Sequence, residues 1–96
     1  MHTLVLEYEW DAAKAASNAR KHRVRFSDAT SVFADPAAIT VEDAYPDEER
    51  YAIIGHDGAG RLLVVIFTWR DENLVRLISA RCATRAEART YYTAER

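Results

Sequence analysis

The chain has 96 residues, 49% of them hydrophobic, with a net charge of −2 and a single cysteine. That length predicts one domain over residues 1–96, burying about 60–65% of its unfolded surface and leaving no room for a deep enclosed pocket. A shallow surface site is therefore expected, and Cys82 alone excludes an internal disulfide, which suits a reducing cytosol.

The first segment, Leu4 to Trp10, alternates: Leu4, Leu6, Tyr8 and Trp10 face one way and Glu7 and Glu9 the other, the pattern of an edge strand. Asp11 is placed to N-cap a helix running to His22, with Ala12, Ala15, Ala16 and Ala19 as a narrow apolar stripe. Lys14, Asn18 and Lys21 would lie opposite that stripe, with His22 on its border. Ser27 is expected to cap a short second helix that ends at Asp35-Pro36. From residue 38 the period changes to that of strands: 38–44, 50–56, 61–70 and 74–82, separated by the turn-like stretches 57–60 and 71–73. Thr84 and Glu87 then have capping-box spacing at the head of a last helix. The sum is an α+β domain: an N-terminal strand and two helices, a four-stranded antiparallel meander, and a C-terminal helix.

Charge is unevenly spread. Residues 41–49 hold Glu42, Asp43, Asp47, Glu48 and Glu49, whereas beyond them eight arginines face five acids. The stretch Arg20-Lys21-His22-Arg23-Val24-Arg25 concentrates cations at a helix C-terminus, where the macrodipole favours them anyway. From pattern alone it reads first as a solvated helix end and second as a phosphate site. Arg76 and Arg81 are five residues apart in one strand, so they should point to opposite faces unless a bulge intervenes. That puts Arg76 with Leu74, Ile78 and Ala80 in a structural role and Arg81 at an open edge. Trp10, Tyr91 and Tyr92 read as core or partner contacts.

Few chemistries fit these residues. Cys82, His2, His22 and His56 match no metal-ligand spacing, and no glycine-rich phosphate loop or nucleophile elbow is present, so neither metal nor cofactor is expected. Lysine, arginine, histidine and carboxylates remain. They suffice for RNA cleavage, where the 2′-hydroxyl is the nucleophile and the protein stabilises charge and moves protons. No apolar run is long enough to span a bilayer, and the N-terminus lacks a signal peptide's basic and apolar regions; a cytoplasmic protein without membrane contact is expected.

The segment 8–36 resembles the opening of the BrnT family of bacterial type II toxins. It carries Trp10-Asp11, Lys14, Asn18, Lys21-His22, Val24, Phe26, Ala29, Phe33 and Asp35-Pro36. Residues 48–50, 53–55, 60–70 and 75–92 continue that resemblance in order. It implies a ribonuclease toxin with a RelE-like fold, and a BrnA-like ribbon-helix-helix antitoxin as partner. Promoter DNA would be bound only through the toxin–antitoxin complex. Positions matching the family pattern include Lys14, Asn18, Lys21, His22, Glu49, Arg50, Arg76 and Arg81. We take Lys21 and Arg81 as phosphate ligands, His22 or Glu49 as proton carriers, and Lys14, Asn18, Arg50 and Arg85 as RNA contacts. Where the family usually has glycine after Lys-His, this chain has Arg23, a replacement that costs about 1 kcal/mol or forces another helical turn. Cys82 and Ala86 also replace positions that tend to be basic. The alternatives are a RelE/ParE-shaped module that inhibits by contact, and an antitoxin-binding corepressor.

Overall fold

A computed structural model describes residues 5–94. The strands are β1 (Glu7–Glu9), β2 (Ile39–Asp43), β3 (Arg50–His56), β4 (Leu62–Asp71) and β5 (Leu74–Cys82). The helices are α1 (Ala12–His22), α2 (Phe26–Ala29), continued by a 3₁₀ segment Thr30–Ala34, and α3 (Arg85–Thr93). The meander β2–β3–β4–β5 is antiparallel as expected, but β1 adds to β5 in parallel. The sheet is therefore mixed and five-stranded, in the order β1-β5-β4-β3-β2, rather than four-stranded and antiparallel. The first strand is shorter than its alternating pattern, and Leu4 lies outside the described residues.

Hydrophobic burial decides the two layers. Val24, Phe26, Ala29 and Val32 pack on one face of the sheet against Ile53, Leu63, Val65, Phe67, Val75, Leu77 and Ala80. At roughly 1.5–3 kcal/mol for each large side chain, this cluster dominates the folding energy. Gly55 lets the 3₁₀ segment settle onto β3: a Cβ there would meet Val32 Cγ1 at 3.0 Å and Ala38 Cβ at 3.1 Å. The sheet's other face carries a smaller cluster of Ile54, Val64 and Tyr91, and α3 covers only that part.

Two helix expectations change. The second helix begins at Phe26 with Arg25 as an uncapped N-cap, so Ser27 is inside the helix and caps nothing. Burying Val24 and Phe26 sets that start. In α1 the buried residue is Asn18, flanked by half-buried Ala15, Ala19 and His22, while Ala12 and Ala16 are exposed. The helix is thus turned away from the alanine stripe. The cause is the free edge of β5. β1 pairs only with Leu74–Arg76, and beyond it Asn18 takes a strand's place. Its Nδ2 donates to the carbonyls of Ala80 (2.8 Å) and Val24 (3.0 Å), and its Oδ1 accepts from the Ala80 N–H at 3.1 Å.

A bulge also revises β5. Ile66 pairs with Ser79 and Phe67 with Leu77, which leaves Ile78 without a partner. Parity flips there, so Ala80 joins Val75 and Leu77 in the core while Arg76 and Arg81 share the opposite face.

Arg23 ends α1 in the left-handed conformation, with φ 60° and ψ 28°, rather than adding a turn. Its N–H still donates to Ala19 O at 3.0 Å. Since glycine adopts this geometry without a Cβ penalty, Arg23→Gly should stabilise the protein by about 1 kcal/mol. In a domain of this size that is roughly 4–8 °C in melting temperature, measurable by calorimetry. An unchanged or lower value would mean that the arginine side chain offsets its backbone cost.

Candidate nucleic-acid interface

The fold sorts charge along the strand direction. At one end lie the 57–61 hairpin, the C-terminus of α1, the start of α2 and the β5–α3 connection. Three contacts fasten these together: Arg61 Nη1 donates to Arg23 O at 3.1 Å, Gly58 N to Ser31 Oγ at 2.8 Å, and Ala83 N to Leu62 O at 2.9 Å. This end collects Arg20 and Lys21 from α1, Arg23 and Arg25 from the turn that follows it, Arg61 from the hairpin, Arg81 from β5, and Arg85 and Arg89 from α3.

Three of those cations are neutralised locally. Arg25 meets Asp28 at 3.3 Å, Arg61 meets Asp57 at 2.9 Å, and Arg81 binds Glu87 through two 2.7 Å hydrogen bonds. The Arg81 guanidinium holds the Glu87 carboxyl down to about 2, helped by the Thr84 N–H against the cost of partial burial. Hydrogen bonds from Arg61 and the backbone likewise outweigh burial and keep the Asp57 carboxyl below its ordinary range. Arg20, Lys21, Arg23, Arg85 and Arg89 are exposed, and among the described residues their side chains have no ion pair. Five uncompensated positive charges therefore share one end of a net acidic protein.

The opposite end is acidic. It holds the 44–49 connection, the β4–β5 hairpin and β1, with Glu7, Glu42, Asp43, Asp47, Glu49, Asp71 and Glu72. Its cations are engaged: Arg50 with Glu48 at 2.9 Å and over the Tyr45 ring at 3.7 Å, and Arg76 and Arg70 with Glu9 at 2.8 and 3.7 Å. A shallow pocket of about 430 Å³ opens there, lined by Glu42, Asp43, Glu48 and Glu49 with Arg50 as its one cation. Four carboxylates around one arginine repel a phosphate.

The sequence-selected residues thus separate. Lys21, His22, Arg81 and Arg85 reach the basic end, whereas Glu49 and Arg50 sit at the acidic end. Arg81 lies level with Val64, which pairs with Ile54, four residues along β3 from Arg50. At about 3.4 Å per residue that is roughly 13 Å along the strands, too far for Glu49 and Arg81 to serve one phosphate. Glu49 contributes structurally through its carbonyl, which accepts from Thr68 Oγ1 at 2.7 Å. Asn18 is 7% exposed, and both ends of its amide are committed to backbone, where they pin α1 to β5. Lys14 and Lys21, either side of Asn18 on one helix shoulder, project along the β5 edge. No direct bond joins Lys21 and Arg81 among the described residues, and Arg81 points to the sheet face away from α1.

One cluster escaped the sequence reading. His56, at the end of β3, has Nδ1 3.2 Å from Tyr91 Oη and Nε2 3.0 Å from Tyr92 Oη. Tyr91 donates to Asp35 Oδ2 at 2.7 Å, and that oxygen also accepts the His56 N–H at 2.8 Å. Asp35 and His56 are distant from Tyr91 in sequence, and the fold brings them together where α3 covers the end of β3. No group of three or more candidate metal ligands occurs among the described residues.

Residues 10–87 match the family model described as the ribonuclease toxin BrnT of type II toxin–antitoxin systems. The chain belongs to the BrnT family. Membership makes it a ribonuclease toxin by family and implies an antitoxin partner. The fold agrees: the crystal structure of the Brucella abortus ribonuclease toxin BrnT is similar with a TM-score of 0.67 and 24% identity, over 84% of this chain and 100% of that one. Comparison with curated proteins gives no significant match. No helix among the described residues is long and apolar enough to cross a membrane.

Proposed function

We propose that this BrnT-family chain is a metal-independent endoribonuclease that binds RNA across its basic end and arrests translation. The observation that carries this reading is the set of five cations gathered there from α1, the turn after it and α3, none with an ion pair among the described residues. Lys21 and Arg85 meet phosphates, with Lys14 extending the track along β5. Arg81, held flat by Glu87, presents its remaining N–H groups to the phosphorane oxygens. His22 lies beside Lys21 in the same basic stretch. A BrnA-like ribbon-helix-helix antitoxin silences the toxin by laying an acidic segment over the same surface, and the pair represses its own promoter.

Purified protein should degrade RNA undiminished in excess EDTA, leaving 2′,3′-cyclic or 3′-phosphate ends. Cleavage that stops on chelation and returns with Mg²⁺ would overturn the mechanism. Growth arrest without any RNA cleavage would favour inhibition by contact alone. Coexpression with the antitoxin should restore growth and yield a complex that binds promoter DNA, which the toxin alone should not.

A further inference from the structure

The hydrogen bonds around His56 have a fixed direction. The Tyr91 hydroxyl has one proton and donates it to Asp35 Oδ2, so towards His56 it can only accept. Nδ1 of His56 must then carry the ring proton of the neutral imidazole. Nε2 is left with its lone pair, and the Tyr92 hydroxyl, 3.0 Å away, donates to it. The chain runs from an ionised carboxylate through Tyr91 to the imidazole, and from the imidazole to a phenol at the surface. Asp35 is suited to its place: backbone and Tyr91 hydrogen bonds outweigh burial and keep its carboxyl below the usual range.

The two tyrosines differ in what they need. Tyr91 is 5% exposed and packs in the smaller core, so its hydroxyl requires a partner. Tyr92 is 63% exposed, and water would satisfy its hydroxyl at no cost. Its bond to His56 is therefore not a requirement of burial. Arg85, Arg89 and Tyr92 follow i, i+4, i+7 spacing on α3, which lines the phenol up with two guanidinium groups that have no ion pair among the described residues.

We infer that Tyr92 and His56 are the proton-transfer pair of the RNA cleavage reaction, with Tyr91 and Asp35 as positioning residues that fix the imidazole. This rests on the reading of the chain as a ribonuclease acting at its basic end. The 2′-hydroxyl gives its proton to the Tyr92 oxygen as the Tyr92 proton passes to His56 Nε2. The 2′-oxygen bonds to phosphorus, and the bond from phosphorus to the 5′-oxygen breaks. The imidazolium returns the proton through Tyr92 to the departing 5′-oxygen. The products are a 2′,3′-cyclic phosphate and a 5′-hydroxyl, and no further reactant is needed. Arg85 and Arg89 face the charge that develops on the phosphorane.

Single-turnover cleavage, RNA affinity and melting temperature are to be measured for wild type, Tyr92→Phe and His56→Gln. Both substitutions preserve shape; general acid–base catalysis is worth about 10²–10⁴-fold. Each should lose about 100-fold or more in rate with RNA affinity unchanged, and Tyr92→Phe should melt as wild type does. The groups against the imidazole are Asp35, Tyr91 and Tyr92. Nitrogen-15 NMR of the free protein should find neutral His56 protonated on Nδ1. Wild-type rates in both variants, or a proton on Nε2, would overturn the relay and leave the ribonuclease reading standing. An inactive wild type would remove both.

Discussion

Replacing Asn18 by alanine should lower the melting temperature by at least 12 °C. The substitution removes two donated bonds and one accepted bond, and it strands the Ala80 N–H, the Ala80 carbonyl and the Val24 carbonyl. A buried backbone group left unpaired costs about 1–3 kcal/mol, so three of them cost at least ~3 kcal/mol. In a domain of this size 1 kcal/mol moves the transition by about 4–8 °C. Asn18→Asp should fare no better, since it keeps the acceptor, loses both donors and buries a charge. Thermal melts of both variants test this, and a shift under 3 °C in Asn18→Ala would show that α1 is held by its apolar contacts instead. Loss of ribonuclease activity in these variants would follow from displacement of Lys14 and Lys21.

The difficulty with Asn18 shows where sequence information ends. Periodicity located every strand of the meander, because each is bounded by turn residues and buries one face. It misread α1, because the helix is oriented by a polar residue acting as a substitute strand. That role exists only because β1 stops at Glu9 and leaves the β5 edge unpaired. The parallel pairing of β1 had no sequence signal, since three residues satisfy either direction. A bulge is the condition under which Arg76 and Arg81 share a face, but nothing local to residues 76–81 announces the one at Ile78. In the candidate site, the basic stretch at residues 20–25 and Arg81 and Arg85 were legible as charge. Glu49 and Arg50 were also legible, yet strand length carries them to the far end. The His56 cluster was illegible because its members come from three elements far apart in the chain.

Position along the strands separates the two halves of the sequence-selected site, and that separation has a measurable consequence for RNA cleavage. Lys21→Ala should lose about 100-fold or more in rate, the cost of removing one electrostatic donor from a phosphate site, while melting stays within a few degrees because the side chain is exposed. Salt dependence gives a second readout. Removing one cation–phosphate contact on single-stranded RNA should reduce the slope of log K against log salt by about 0.7, in Lys21→Ala and again in Arg85→Ala. Arg81→Ala should lose both activity and stability, because Glu87 loses its bidentate partner at the head of α3. Arg76→Ala removes only a half-exposed pair with Glu9, worth about 0–1 kcal/mol, and should cleave normally even though it shares a face with Arg81. Glu49→Gln and Arg50→Ala are the decisive controls, since they alter the acidic end. If either abolishes cleavage while Lys21→Ala cuts at the wild-type rate, RNA is bound at the other end of the sheet and the cations of residues 20–25 serve only the helix dipole.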